Sequence, residues 1–275
     1  MRRSSGRGGG TFASTLFMLA FLVYFALPLF WLVVASTKQT SDLFNGFGLW
    51  FASENHFVDN VRRLFEIRTL DGGTYVVWLR NSFFYSVTSA VIAGLSAALA
   101  GYGFAKYSFR GRGALFWLIL GCVMVPTQAL AVPTWLMFAE IDLTNSPLSV
   151  ILPCSVSPFG VYLMRIYAER AIDSALIEAA RLDGAGEWRI FRSIAFRLLA
   201  PGMVTVMLFA FVQTWNNYLL PLLMLSESKW YPLTIGLTQI GYESIVGSLI
   251  AIVPMIAAFV LLQKFWQSGL AAGSS

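Results

Sequence analysis

The sequence predicts an all-α integral membrane protein with six transmembrane helices, and three observations carry that prediction. Of 275 residues, 57% are hydrophobic and only 12% charged, against about 25% charged in an ordinary soluble domain. Six long apolar stretches hold no Asp, Glu, Lys, Arg or His. The basic residues between them fall mostly on one side. A chain with so few polar side chains cannot cover a globule, which excludes a soluble enzyme.

The stretches are residues 12–35, 82–105, 114–138, 148–164, 198–225 and 245–263. Each approaches or exceeds the roughly 20 residues that cross a hydrocarbon core about 30 Å thick. The first follows a tail, residues 1–11, containing Arg2, Arg3 and Arg7. It is longer than the roughly 7–15 residues of a cleavable signal core, so it reads as a retained helix. With the N-terminus inside, 13 of the 19 Lys and Arg residues are cytoplasmic, leaving Lys38, Arg62, Arg63, Arg68, Arg80 and Lys229 outside. The positive-inside rule therefore favours N-in and C-in. Orientation explains the net charge of +5, and no nucleic-acid partner is needed.

Several classes of chemistry are excluded. Cys122 and Cys154 lie in apolar runs, so neither a disulfide framework nor a zinc site is indicated. A single His56 cannot build a two-histidine metal motif, and no phosphate-binding loop is present. Any ATP must be bound by another chain. A membrane-embedded enzyme would need a nucleophile–base or metal cluster, and an ion-coupled carrier would place ionisable groups within its spans. Neither pattern is seen, nor is an inverted repeat.

Polar residues inside apolar spans usually face a bundle interior. Thr127 and Gln128 beside Pro126, and Gln213, Thr214, Trp215, Asn216, Asn217 and Tyr218 before Pro221, are candidates to line a path. The alternative, that Asn216 and Asn217 bond a neighbouring helix, is equally open. In the second span, Gly94, Ala97, Ala98, Gly101 and Ala105 recur about once per turn, which suits close helix packing.

Two loops are substantial. The extracytoplasmic loop, residues 36–80, carries an apolar stripe at Val58, Val61, Leu64 and Phe65, the signature of an amphipathic helix on a membrane or partner. The cytoplasmic loop, residues 168–197, reads as helix–turn–helix. One face is Ile172, Leu176 and Ala179 or Ala180, and the other is Trp188, Phe191, Ile194 or Ala195, and Leu198, with Gly184 at the turn. Two stripes flanking a glycine describe a docking surface.

Glu178-Ala179-Ala180, followed after Arg181, Leu182 and Asp183 by Gly184 and then by Ile194, resembles the EAA loop of ABC-importer permeases. Phe196-Arg197 replaces the Leu-Pro that ends the family pattern. The runs beginning at Asn81, Met124 and Thr214 are similar to the MalG-type second permease of carbohydrate importers, over roughly residues 12–268. The resemblance implies a type I ABC importer transmembrane domain over residues 81–268, with residues 269–275 as a C-terminal tail. It also implies a multi-pass protein of a prokaryotic plasma (inner) membrane and half of a heterodimeric pore for a sugar or sugar-like solute.

The implied partners are a second permease subunit, two ATP-binding subunits, an extracytoplasmic solute-binding protein and membrane lipid. No cofactor belongs to this chain, since ATP and Mg sit on the partner ATPase. Glu178, Ala179, Ala180, Arg181, Asp183 and Gly184 would form the ATPase-coupling element. The alternative for Glu178 is a local pair with Arg181, worth only a few tenths of a kcal/mol. Glycerophosphodiesters or polyols remain alternative cargoes for the same fold, and an ion-coupled secondary carrier the alternative mechanism.

Overall fold

A computed structural model of the chain describes residues 7–274 and is helical throughout. Arg2 and Arg3, and Ser275 of the C-terminal tail, lie outside the described residues. Two compact units are formed: residues up to Ile67 together with Ile240–Ile250, and Arg68–Gln239 together with residues from Ala251 onward.

In the first unit, α1 (Arg7–Ser36) is a long apolar helix, exposed along most of its length from residue 14. α2 (Thr40–Asn45) and α3 (Phe57–Glu66) follow it. The stripe expected on α3 forms only in part. Leu64 is buried and Val61 half-buried, but Val58 is 76% exposed and Phe65 is also exposed. The inward face is instead made by Leu64 and Asn60, whose amide donates to the carbonyls of Ser36 at 3.0 Å and Lys38 at 2.9 Å. Those carbonyls lie just past the end of α1, where a helix leaves acceptors unsatisfied. A polar residue therefore wins the inward position.

The second unit is built on α4 (Tyr75–Lys106), α8 (Pro158–Ala171) and α11 (Phe196–Trp215), which pack on one another. Gly94, Ala97, Ala98 and Gly101 are all buried along α4, and Ala105 is half-buried against the same core. At Gly101 the backbones nearly touch: a Cβ there would sit 2.5 Å from Met164 Cβ and 2.6 Å from its carbonyl carbon. Small residues at helical spacing thus bring α4 and α8 together, as the sequence suggests.

Three expected spans are interrupted, each near proline. Residues 114–138 divide into α5 (Arg112–Val123) and, after a short 3-10 turn Thr127–Leu130, α6 (Ala131–Glu140). The two halves are bent by 96°. Pro126, extended at ψ 122°, stands at the break. Residues 148–164 divide into α7 (Pro147–Cys154) and α8, bent by 40°, with Pro158 opening α8 and the Ser157 hydroxyl accepting from Gly160 N–H. Residues 198–225 divide after Trp215, and α12 (Leu219–Met224) resumes beyond Asn216–Tyr218. Proline lacks the N–H that would continue a helix and biases its predecessor away from helical geometry.

Four helices among the described residues are long and apolar enough to cross a membrane unbroken, and the two bent pairs bring the candidates to six. α13 (Leu233–Gly236) and α14 (Glu243–Ser274) complete the chain.

Candidate functional site

The interruptions converge on a cavity of about 740 Å³. Thr127 and Gln128 reach it from the turn after α5, Thr134 and Phe138 from α6, Cys154 from α7, and Gln213, Asn216, Asn217 and Tyr218 from the α11–α12 break. Proline-broken helices expose side chains and backbone that a straight helix would keep in its own ladder, which membranes tolerate where a cavity is lined. The structure therefore brings Gln128 together with Gln213, Asn216, Asn217 and Tyr218, 85 or more positions apart in sequence. Trp215 is not among them. It points away, 4% exposed, with its ring stacked on Phe211 at 5.6 Å. One residue earlier, Thr214 is also buried.

The amides differ in what they offer. Asn216 Nδ2 donates to Val212 O at 2.8 Å, a bond within its own helix rather than to a neighbour. Asn217 Nδ2 reaches Cys154 Sγ at 3.5 Å, its Oδ1 accepts from Leu220 N–H, and its carbonyl accepts from Thr234 Oγ1 at 2.8 Å. Asn217 is therefore a fastener of the break. Gln213 is exposed, and among the described residues the Gln128 side chain meets Thr127 Oγ1 at 3.5 Å and no other side chain, so both amides keep donors and acceptors uncommitted. Among the described residues, no Asp, Glu, Lys, Arg or His lines the cavity. Its chemistry is that of neutral donors and acceptors beside apolar walls, which suits hydroxyl groups and not ions.

The loop between α8 and α11 forms a compact hairpin. α9 (Ser174–Leu182) starts at Asp173, whose carboxylate accepts from Ala175 N–H at 2.9 Å. It ends in a Schellman turn. Gly184 adopts φ +78°, its N–H bonds Arg181 O at 3.0 Å, and Ala185 N–H bonds Ala180 O at 3.0 Å. α10 (Glu187–Ile190) then runs through a π-turn, Phe191–Ala195, into α11. Helix–turn–helix was the expected form, and of the residues expected on its buried faces Ile172, Phe191 and Ala195 lie in the core of α4, α8 and α11. Elsewhere the face is shifted: Ile177, Ile190 and Leu199 join that core, whereas Leu176, Trp188 and Leu198 are exposed. A π-turn adds a residue to one turn and rotates the helix beyond it, which accounts for Leu199 replacing Leu198.

Glu178, Ala179, Asp183 and Gly184 lie on the exposed side of this hairpin, and Ala180 is half-buried against the core. Arg181 does not pair with Glu178. Its Nε is 2.7 Å from Glu187 Oε1, and Tyr107 OH donates to Glu187 Oε2 at 2.5 Å. Lys106 Nζ donates to Ile172 O at 2.5 Å, just before α9. The C-terminal end of α4 thus holds the hairpin at both ends. Glu187 and Tyr107 were not legible as site residues, because their partners are 80 positions apart.

A helical transmembrane chain with a cavity at broken helices and a clamped loop hairpin defines a transport component, and comparison with known proteins agrees. Residues 90–273 match the binding-protein-dependent transport system inner membrane component family. The arabinooligosaccharides transport system permease protein AraQ of Halalkalibacterium halodurans is 32% identical over 263 residues, covering 92% of each chain. The sn-glycerol-3-phosphate transport system permease protein UgpE of Brucella abortus is 25% identical over 267 residues, covering 93% of this chain and 94% of its own. The fold matches the crystal structure of a bacterial ABC transporter involved in the import of the acidic polysaccharide alginate, with TM-score 0.80 and 21% identity over 97% of this chain and 99% of that one. The chain belongs to this family of importer permeases. It is a membrane transport subunit and not an enzyme.

Proposed function

We propose that this chain is one half of a heterodimeric pore in a prokaryotic plasma membrane, crossing it six times with both termini inside. It admits a neutral, hydroxyl-rich solute, a sugar or oligosaccharide, delivered by an extracytoplasmic binding protein. The observation that carries this reading is the uncharged, amide-lined cavity at the three helix breaks. Gln128 and Gln213 supply hydrogen bonds, and Tyr218 supplies a ring edge and a hydroxyl. A phosphate-bearing cargo would call for a Lys or Arg in the wall, so a glycerophosphodiester is the weaker reading, although a polyol shares the sugar's chemistry.

In this reading nucleotide and Mg are held by two separate ATP-binding subunits, and this chain's part is mechanical. The α9 hairpin presents Glu178, Ala179 and Gly184 to the ATPase, together with Leu182, which is 89% exposed, and Trp188, which is 66% exposed. Large apolar side chains bared on a charged loop suit a protein interface. Movement of the hairpin passes to α4 through Lys106 and the Tyr107–Glu187 contact, and to α11 through the shared core. The ATPase must bind the two states of the pore with different affinity for this to drive transport.

Reconstitution with the second permease, the ATPases and the binding protein tests the proposal. ATP-driven uptake of labelled arabinooligosaccharide, no competition by glycerol-3-phosphate, and a raised KM for Gln213→Leu are expected. Preferential uptake of the phosphate ester, or unchanged selectivity in Gln213→Leu and Gln128→Leu, would contradict it.

A further inference from the structure

We propose that the first unit carries a phospholipid headgroup site of the phosphoethanolamine type, set between the end of α1 and residues 46–53. A cavity of about 430 Å³ lies there, lined by Lys38, Asp42, Phe47, Trp50 and Phe51. Lys38 is 2% exposed, and among the described residues its ammonium donates to one partner, Phe47 O, at 2.8 Å. An ammonium has three donors, and burying one with only a neutral carbonyl is costly unless an anion completes the set. Asp42 lines the same cavity, and its carboxylate accepts from Gln39 N–H at 3.3 Å. The cavity therefore presents one cation and one acid that form no ion pair with each other. A ligand carrying a phosphate and an ammonium on a short linker matches both.

The surroundings say that this ligand is a lipid. Phe47, Trp50 and Phe51 are exposed around the cavity, and aromatic side chains gather at the membrane–water boundary. Phe51 meets Phe30 edge-on, with ring centroids 6.4 Å apart. The rim thereby continues onto the last turns of α1, where Leu27, Phe30 and Trp31 are exposed. A headgroup on Lys38 and Asp42 would lay its acyl chains along that face. A soluble phosphoethanolamine would satisfy the charges and leave the face bare. The proposal needs α1 to cross the bilayer and does not depend on which solute the pore carries.

Native mass spectrometry of the full chain in mixed micelles tests it. The probes are phosphatidylethanolamine, phosphatidylglycerol and diacylglycerol with identical chains, and soluble O-phosphoethanolamine. Phosphatidylethanolamine should be retained at least about tenfold over diacylglycerol, the factor that one charge-assisted hydrogen bond supplies. Lys38→Met should abolish that preference. Asp42→Asn, which keeps the lysine and a side-chain oxygen, should retain lipid but shift the preference to phosphatidylglycerol, so the test survives a misfolded lysine variant. Equal retention of diacylglycerol, or an unchanged preference in both variants, would overturn the site. Displacement of lipid by equimolar O-phosphoethanolamine would overturn the acyl-chain arm. A Lys38→Met variant that keeps its lipid but binds the solute-binding protein more weakly would show a protein-docking surface instead.

Discussion

Replacing Gly184 probes the coupling role proposed for the α9 hairpin with little collateral damage. The residue sits at φ +78°, and a Cβ built on it meets no atom within 4 Å. Space is therefore no obstacle, and the penalty is conformational. A non-glycine residue in the left-handed region costs about 1–2 kcal/mol, which lowers the formed-to-unformed ratio of the native turn about 5- to 30-fold. If the ATPase docks only on hairpins with that turn formed, its apparent affinity falls with the formed fraction, by at most the same factor. Gly184→Ala should then raise the ATPase concentration needed for half-maximal stimulation, by up to about 5- to 30-fold. Gly184→Val should do more, because β-branched residues are outliers at positive φ, and Gly184→Asn less, because Asn tolerates the region. Assembly with the second permease should be unaffected. The assay is a titration of ATPase subunits into reconstituted permease pairs, read as solute-stimulated phosphate release. An unchanged half-maximal concentration for Gly184→Val would refute the assignment of this turn to coupling.

Three further outcomes are expected in the second unit. The segment between α12 and α13 is fastened to α4: Asn81 Nδ2 donates to Lys229 O at 2.8 Å and Tyr231 O at 3.0 Å, and Trp78 Nε1 donates to Ser228 O at 2.9 Å. Asn81→Ala leaves two part-buried carbonyls without this donor and should cost about 1 kcal/mol, seen as a lower unfolding temperature and faster proteolysis near Lys229. Gly236→Ala places a Cβ 2.1 Å from the Trp78 ring, so overpacking of about 1–3 kcal/mol is expected, and an unaltered melting temperature would count against this packing. The same segment should be acid-sensitive. Ser228 N–H donates to Asp71 and holds its carboxyl below the usual range, and Lys229, with Asn145, does the same for Glu227. Carboxyls with depressed folded values stabilise above the ordinary unfolded range of about 4 and lose that contribution as pH falls through the lower folded values. Amide protection factors over residues 226–231, corrected for the intrinsic pH dependence of exchange, should therefore fall below about pH 4 and stay flat from neutral pH down to there.

Much of this architecture is legible in the sequence, and the failures have physical causes. Composition and charge-free runs reveal the helices because burial in lipid demands apolar residues whatever the tertiary contacts. Gly184 is legible because a local backbone rule demands it. The bends are only half-legible: prolines mark where a helix can break, but Pro126 accompanies a 96° turn while Pro201 sits inside a continuous α11. The cavity's amides can be named in advance, yet Trp215 turns away with Phe211 on a buried face of α11, because the packing of α11 on α4 and α8 sets which face turns inward. Leu199 replaces Leu198 in the core because a π-turn breaks the 3.6-residue period that a stripe assumes. Asn60, Tyr107 and Glu187 carry no periodic signal. Their roles exist only once distant carbonyls and hydroxyls are brought beside them.

In the proposed mechanism the α9 hairpin, held to α4 by Glu187, transmits work to the pore. This is read out by the ratio of solute-stimulated to basal ATPase activity in the assembled complex carrying Glu187→Gln with Tyr107→Phe, which loosens the clamp and leaves Glu178, Leu182 and Trp188 of the exposed side in place. The complex should still assemble and hydrolyse ATP, while the ratio falls toward unity and uptake ceases. A ratio and uptake rate equal to those of the unaltered complex would contradict it.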